Sequence, residues 1–230
     1  MKYSINLIFF LLFILCLPVI HALDITDKSV ESYVRGEYVR GVNFLGDASV
    51  VGTLELNEIY VIRSGLSLGG LNGGVNFNTF ASAKVSPFSN VPLDFSLLWN
   101  YNGLFNYNAH SHTIMPIVTY NFYKVGISIG MNLRFSSFFN EKAIFESILS
   151  YLVYYSIIDN EALHLGVSLG NFNEFSAKNM GALYLSAITK FKVNDNWQVI
   201  SEIELMQSGL DGFSTTFYGF AWKGGVRFSW

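Results

Sequence analysis

The last sixteen residues, 215–230, read TTFYGFAWKGGVRFSW and alternate between two kinds of side chain. One alternate set is apolar apart from a glycine: Tyr218, Phe220, Trp222, Gly224, Val226, Phe228 and Trp230. The other set is small or cationic: Ala221, Lys223, Gly225, Arg227 and Ser229. Since successive strand residues point to opposite faces, the pattern predicts a β-strand with one apolar face. The strand is longer than the usual five or six residues and fits a tilted membrane crossing.

The composition indicates the same environment. The 230-residue chain is 51% hydrophobic and 13% charged, whereas soluble domains carry about 25% charged residues. A net charge of −3 provides no electrostatic surface for nucleic acid, which we exclude as a partner. The lone cysteine, Cys16, lies in the N-terminal apolar segment, so we expect no thiol chemistry and no cysteine-bound metal. No motif indicates a cofactor.

The N-terminal segment has the three-part plan of a secretory signal peptide. Lys2 is followed by the apolar run Ile5 to Leu17 and a short exit that ends at Ala22. We predict that residues 1–22 are a cleaved signal peptide. An uncleaved anchor is the rival interpretation, but the apolar run is shorter than the roughly 20 residues of a spanning helix. Without a linker or a break in composition, residues 23–230 are expected to form one domain.

Period-two patterns continue through this domain and predict about twelve strands. The clearest is Val125–Phe135, with six consecutive matches. The first two strands are expected at Val34–Phe44 and Val50–Asn57, and ten strands is the alternative if this hairpin is misinterpreted. Residues 144–158 also fit a helical stripe, but their β-branched and aromatic residues favour a strand.

The C-terminal strand resembles the terminal strand of bacterial outer-membrane β-barrels, in which a final aromatic residue and alternating apolar positions form the assembly signal. The predicted strands are similar to those of small, porin-like members of this class. The resemblance implies an all-β, antiparallel, up-and-down transmembrane barrel in the outer membrane of a diderm bacterium. It also implies contact with outer-membrane lipid, and with the barrel-assembly machinery through the C-terminal strand. The signal positions would be Trp222, Val226, Phe228 and Trp230.

If the apolar faces meet lipid, the opposite faces line the lumen. The candidate pore-lining residues are Arg63, Lys84, Asp94, Arg134, Glu146, Lys190, Lys192, Glu202, Glu204, Lys223 and Arg227. Glu202 and Glu204 of the penultimate strand are expected to face Lys223 and Arg227 across one hairpin. Two interpretations remain open: a charged pore wall that selects small polar or anionic solutes, or a paired network that fills a narrow barrel.

His110-Ser111-His112 is the only local cluster that suggests an enzyme, with His164 as a further histidine on the lumen side. No nucleophile elbow accompanies it, and no third metal ligand is evident, so we expect a polar loop and neither enzyme nor metal site. The leading hypothesis is a porin-like passive channel for small polar solutes. The alternatives are a non-conducting structural or adhesin-type surface barrel and, with less support, a barrel hydrolase or acyltransferase.

Overall fold

The chain forms a closed antiparallel barrel of twelve strands in a computed structural model that describes residues 24–40, 42–57, 59–71, 74–105, 108–138, 143–175, 182–208 and 216–230. The strands are β1 (Ile25–Val39), β2 (Val42–Leu56), β3 (Tyr60–Leu71), β4 (Gly74–Val85), β5 (Leu93–Leu104), β6 (Ala109–Phe122), β7 (Val125–Phe138), β8 (Ile144–Asp159), β9 (Leu163–Gly170), β10 (Ala182–Lys192), β11 (Trp197–Ser208) and β12 (Thr216–Ser229). The predicted fold class and strand number are confirmed. The predicted signal peptide, residues 1–22, lies outside the described residues.

Each strand pairs with its neighbours in sequence, and β1 pairs with β12 to close the barrel. This seam runs without a break from Ser29 opposite Ser229 to Val39 opposite Gly219. Trp230 continues it, because its backbone N–H donates to the carbonyl of Lys28 at 3.1 Å. Closure gives the edge strands partners that lipid cannot provide.

The predicted first strand, Val34–Phe44, was wrong in its boundaries. β1 ends at Val39, Arg40 lies in a turn, and β2 begins at Val42. The true start of β1 was hidden because its outward positions include Lys28 and Ser32, which interrupt the apolar alternation. The strand count is unaffected. Residues 144–158 form a strand, β8, as predicted.

The outward face of the barrel is apolar and uncovered. Side chains at the middle of the strands, among them Val34, Leu97 and Ile129, are 52–55% exposed, where a soluble protein would bury them. Exposed aromatic residues gather at both ends of the strands: Tyr60, Tyr120, Phe122, Trp197 and Trp230 at one end, and Tyr38, Phe44, Phe135, Phe145 and Phe220 at the other. An apolar band between two aromatic girdles is the exterior of a transmembrane barrel. No helix among the described residues is long and apolar enough to span a membrane.

The connection from β9 to β10 begins by turning into the barrel. Asn171 directs this turn because its side chain accepts from the backbone N–H of Tyr151 and donates to the carbonyl of Leu149, each at 2.8 Å. Its own N–H donates to the Tyr151 carbonyl at 3.1 Å. Gly170 permits the approach, since a Cβ there would lie 2.5 Å from the same carbonyl. We call residues 171–175 the inward segment.

The closing seam tolerates no side chain at Gly225. A Cβ at this position would lie 2.3 Å from the Ser32 carbonyl oxygen and 2.4 Å from the Cβ of Tyr33. We therefore expect Gly225→Val to lower the free energy of unfolding by about 1–3 kcal/mol, the usual cost of overpacking. A urea series that follows heat-modifiable migration on gels measures the change.

Gly70→Val is the matched control, because a Cβ at Gly70 meets nothing within 4 Å. This variant should keep the native urea midpoint. Equal midpoints for both variants would contradict the account of the seam.

Candidate functional site

The lumen contains a cavity of about 730 Å³, which lies in the size range of small-molecule sites. Its wall is formed by the inward faces of strands and by the inward segment. Four cationic side chains line it: Arg35, Arg63, Lys190 and Lys223. Six carboxylates line it as well: Glu31, Glu37, Asp47, Glu174, Glu202 and Glu204.

Arg35 of β1 joins three carboxylates from three strands. One guanidinium nitrogen lies 2.6 Å from Glu37 and the other lies 2.6 Å from Glu204 of β11, across β12. Asp47 of β2 is 4.0 Å away and accepts from two serine hydroxyls, each at 3.2 Å. Charge-assisted hydrogen bonds of this length are stronger than neutral ones. The cluster carries more negative than positive charge, since one guanidinium serves three carboxylates.

Arg63 of β3 connects the wall to the inward segment. Its guanidinium forms an ion pair with Glu174 and lies 3.9 Å from Glu31 of β1. Because β3 stands opposite the β9–β10 connection in the ring of twelve strands, the pair with Glu174 spans the lumen. The inward segment is therefore held on both sides of the barrel.

Lys223 and Arg227 of β12 pair with different strands. The Lys223 ammonium lies 3.2 Å from Glu202 of β11 and 4.2 Å above the centre of the Tyr33 ring. Arg227 lies 3.2 Å from Asp27 of β1.

The predicted contact between Glu202 and Lys223 is confirmed, whereas the predicted contact between Glu204 and Arg227 is wrong. In the β11–β12 register Glu202 faces Lys223, but Glu204 faces Ala221 and Arg227 lies further toward the barrel end. Glu204 instead reaches Arg35.

An apolar layer fills part of the lumen. Phe172 of the inward segment packs with inward-facing residues from five strands, Tyr33, Val51, Phe80, Leu98 and Met115. Phe175 packs against the same group, with its ring edge-on to Phe80 at a centroid distance of 4.9 Å. One part of the lumen is therefore packed with apolar side chains, and another is a cavity with a charged wall.

Five of the eleven predicted pore-lining residues line the cavity: Arg63, Lys190, Glu202, Glu204 and Lys223. The others lie outside its lining as ion pairs: Lys84 with Asp94 at 3.5 Å, Arg134 with Glu146 at 3.7 Å, Arg227 with Asp27, and Lys192 with Asp195 at 2.9 Å. The last pair belongs to the exposed turn after β10. There the hydrogen bond from Lys192 lowers the pKa of the Asp195 carboxyl.

Sequence reasoning missed five charged residues of the cavity wall: Glu31, Arg35, Glu37, Asp47 and Glu174. The signal for Arg35 and Glu37 was present, because they alternate with the apolar positions of β1. Asp47 falls in a stretch that was assigned to no strand. Glu174 lies in a connection, where no periodicity indicates its direction.

The expected polar loop at His110-Ser111-His112 is part of strand β6. The strand extends this far because the hairpin ladder with β5 continues to Leu104 opposite Ala109, and the His112 ring packs against Tyr101 at 5.0 Å. Alternation points Ser111 toward the lumen and both imidazoles away from it, so these residues form no catalytic set.

His164 lies on the lumen side, as predicted. Its ring hydrogen-bonds the Tyr154 hydroxyl and lies 3.1 Å from Asp159. In the part of the chain that the structure covers, no group of three or more His, Cys, Asp or Glu side chains could hold a metal ion.

No family model matches the chain, and no curated protein matches it. Among solved structures, the KdgM porin in complex with disordered oligogalacturonate is 10% identical, with 88% of this chain and 99% of that chain covered and a TM-score of 0.59. The NanC porin is 9% identical, covering 86% and 98%, with a TM-score of 0.57. The translocator domain of the autotransporter NalP from Neisseria meningitidis is 12% identical, covering 88% of each chain, with a TM-score of 0.56.

These likenesses show the fold: the chain has the architecture of a porin-like bacterial outer-membrane barrel. The predicted outer-membrane location is confirmed at this level, and the apolar exterior agrees with it. The role of the C-terminal strand as an assembly signal stays a prediction. In that strand Trp222 and Val226 face outward, and the rings of Phe228 and Trp230 stack at 5.5 Å.

Arg35 is the cation whose loss should destabilise the lumen wall most. Arg35→Met would leave Glu37 and Glu204 close together without their shared partner. Breaking a fully buried pair costs about 3–5 kcal/mol, and because the Arg35 side chain keeps 18% exposure we expect a smaller loss of about 2 kcal/mol. Urea denaturation of the folded barrel measures it.

Lys84→Met is the control. Its partner Asp94 keeps hydrogen bonds from Ser86 and Asn121, and Lys84 is 41% exposed. A loss of about 0.5 kcal/mol is expected. If the two variants lost the same stability, the Arg35 cluster would not be the main ionic contact of the lumen.

Proposed function

We propose that this barrel is a porin-like passive channel for small polar solutes. The observation that carries the proposal is the cavity of about 730 Å³, whose wall holds ten charged side chains in the interior of a barrel with an apolar exterior. A barrel filled only for stability would be expected to pack its lumen throughout. Here packing stops at the apolar layer.

A polar group on the wall formed by β4 to β8 supports a hydrated lumen. Asn78 of β4 lines the cavity, and its buried side-chain oxygen has no hydrogen-bond partner among the described residues. Buried polar groups are usually satisfied, and water is the usual partner where the protein offers none. We infer that water enters this part of the lumen.

The charge of the wall supports a modest preference for cations. Six carboxylates face four cationic groups, and the surplus lies at Arg35. Rings of carboxylates favour cations in channels. The KdgM porin was observed with oligogalacturonate, but a polyanion would meet the carboxylate surplus of this chain, so we do not extend that ligand to it.

A non-conducting barrel is the second candidate, and the apolar layer favours it. Phe80 and Met115 point into the lumen and are only 1% exposed, because the inward segment covers them. If this layer closes the path, the barrel would serve as a structural element of the membrane. We assign no catalytic role, since Ser111 and its neighbouring imidazoles lie on opposite faces.

Single-channel recording in planar bilayers tests the proposal. We expect the folded barrel to conduct with a weak preference for cations. Glu202→Gln with Glu204→Gln should lower the ratio of cation to anion permeability by about twofold per charge, the combined effect on cation and anion of a unit charge at about 10 Å in water that contains about 0.1 M salt.

Asp94→Asn with Glu146→Gln is the matched control, because it removes two carboxylates that lie outside the cavity lining. This variant should keep the native ratio. A folded barrel that carries no current would overturn the channel and favour the structural role.

A further inference from the structure

Lys190 is the cation on the cavity wall that lacks a carboxylate within 4.0 Å among the described residues. Its electrostatic neighbours are one carboxylate, Glu31, and three further cations, Arg63, Lys223 and Arg227. Arg63 shares the same Glu31 at 3.9 Å. Each neighbouring cation has a carboxylate of its own, Glu174 for Arg63, Glu202 for Lys223 and Asp27 for Arg227, whereas Lys190 forms no ion pair with a described residue.

The cavity that Lys190 lines also has apolar side chains on its wall. Ile188 precedes Lys190 by two residues on the same face of β10 and also lines the cavity. Ile117, Leu152 and Phe175 contribute further apolar surface to the wall. A cavity that combines apolar surface with one or two polar anchors is typical of small-molecule sites.

We propose that the cavity binds a small organic anion that carries one carboxylate and one apolar group, such as an arylalkyl carboxylate. The carboxylate meets Lys190 and Arg63, and the apolar group packs against Phe175, Ile117 and Leu152. This inference names a solute class for the proposed channel and to that extent rests on it, but binding itself requires only the cavity.

The inward segment itself places a carboxylate and an aromatic ring on this wall. Glu174 forms the ion pair with Arg63, and the adjacent Phe175 ring packs edge-on against Phe80. A solute carboxylate that approaches Arg63 therefore competes with Glu174. Removing the charge of Glu174 should strengthen binding.

We expect the solute to carry only one negative charge, because the other cations on the wall, Arg35 and Lys223, are already paired with carboxylates. Glu37 and Glu204 are held by Arg35, and Glu202 is held by Lys223. A single carboxylate at Lys190 meets cations first, whereas a longer polyanion would extend toward the surplus at Arg35.

Isothermal titration calorimetry on the detergent-folded barrel tests the proposal with phenylacetate as the probe. Acetate lacks the ring, 2-phenylethanol lacks the charge, and phenethylamine reverses it. We expect phenylacetate to bind about tenfold more tightly than each of the three, because a charge-assisted contact and an apolar contact are both needed. Absence of phenylacetate binding, or equal binding of 2-phenylethanol, would overturn the proposal.

Variants locate the site. Lys190→Gln should weaken phenylacetate binding about tenfold, Lys190→Arg should retain it, and Glu174→Gln should tighten it. Lys84→Gln removes a cation outside the cavity lining and should leave the affinity unchanged. Equal losses in Lys190→Gln and Lys84→Gln would contradict the assignment. If Lys190→Gln shows no heat-modifiable folded form, the other two cavity variants decide.

The binding proposal and the channel proposal can be contradicted independently. Phenylacetate binding in a barrel that carries no current would contradict the channel and leave the site intact. A conducting barrel that binds no phenylacetate would contradict the site and leave the channel intact.

Discussion

The hydrogen-bonded ladder between β1 and β12 is the contact on which the rest of the structure depends. In lipid an unpaired N–H or C=O costs several kcal/mol, so the sheet is stable in the membrane only when its two edges are joined. Joining the two edges of an up-and-down sheet as an antiparallel pair requires an even number of strands. The side-chain period of two then commits one face of every strand to lipid and the other to the lumen. Gly225 lets the seam close, because Tyr33 and the backbone of β1 occupy the space of a side chain.

A closed ring also fixes the space inside, and the chain fills it unevenly. From β10 through β12 to β3 the inward faces carry ion pairs centred on Arg35, Arg63 and Lys223. From β4 to β8 they carry asparagine, serine and apolar residues, with the ion pairs Lys84–Asp94 and Arg134–Glu146 outside the cavity lining. Phe172 and Phe175 pack against Phe80, Leu98 and Met115 of this half. The inward segment joins the two halves, since it supplies aromatic rings to one and the Glu174 carboxylate to the other. The cavity is the space that remains between these two halves.

Most of the barrel could be predicted from the sequence, but little of the site could. Strands such as β7 and β12 could be predicted because their outward positions contact lipid and are apolar. Apolar residues therefore alternate strictly with small or polar residues along these strands. β1 was misplaced where that alternation weakens, at Lys28 and Ser32. Charged lumen residues on recognised strands could be found from the alternation of inward and outward positions alone. Their partners depend on strand register, and of these the Glu202–Lys223 pair was predicted and the Glu204–Arg35 pair was not. Glu174 could not be found at all, because the direction of the inward segment is set by Gly170 and Asn171 through contacts with a different strand.

The proposed site depends on the position of the inward segment, which lies across the lumen and bounds the cavity. Nuclear Overhauser spectra of the detergent-folded barrel, labelled at phenylalanine, test it without any substitution. We expect cross-peaks between the rings of Phe80 and Phe175, whose centroids are 4.9 Å apart. Clear signals from both rings with no cross-peak between them would place Phe175 away from the lumen wall and show that the inward segment does not bound the cavity.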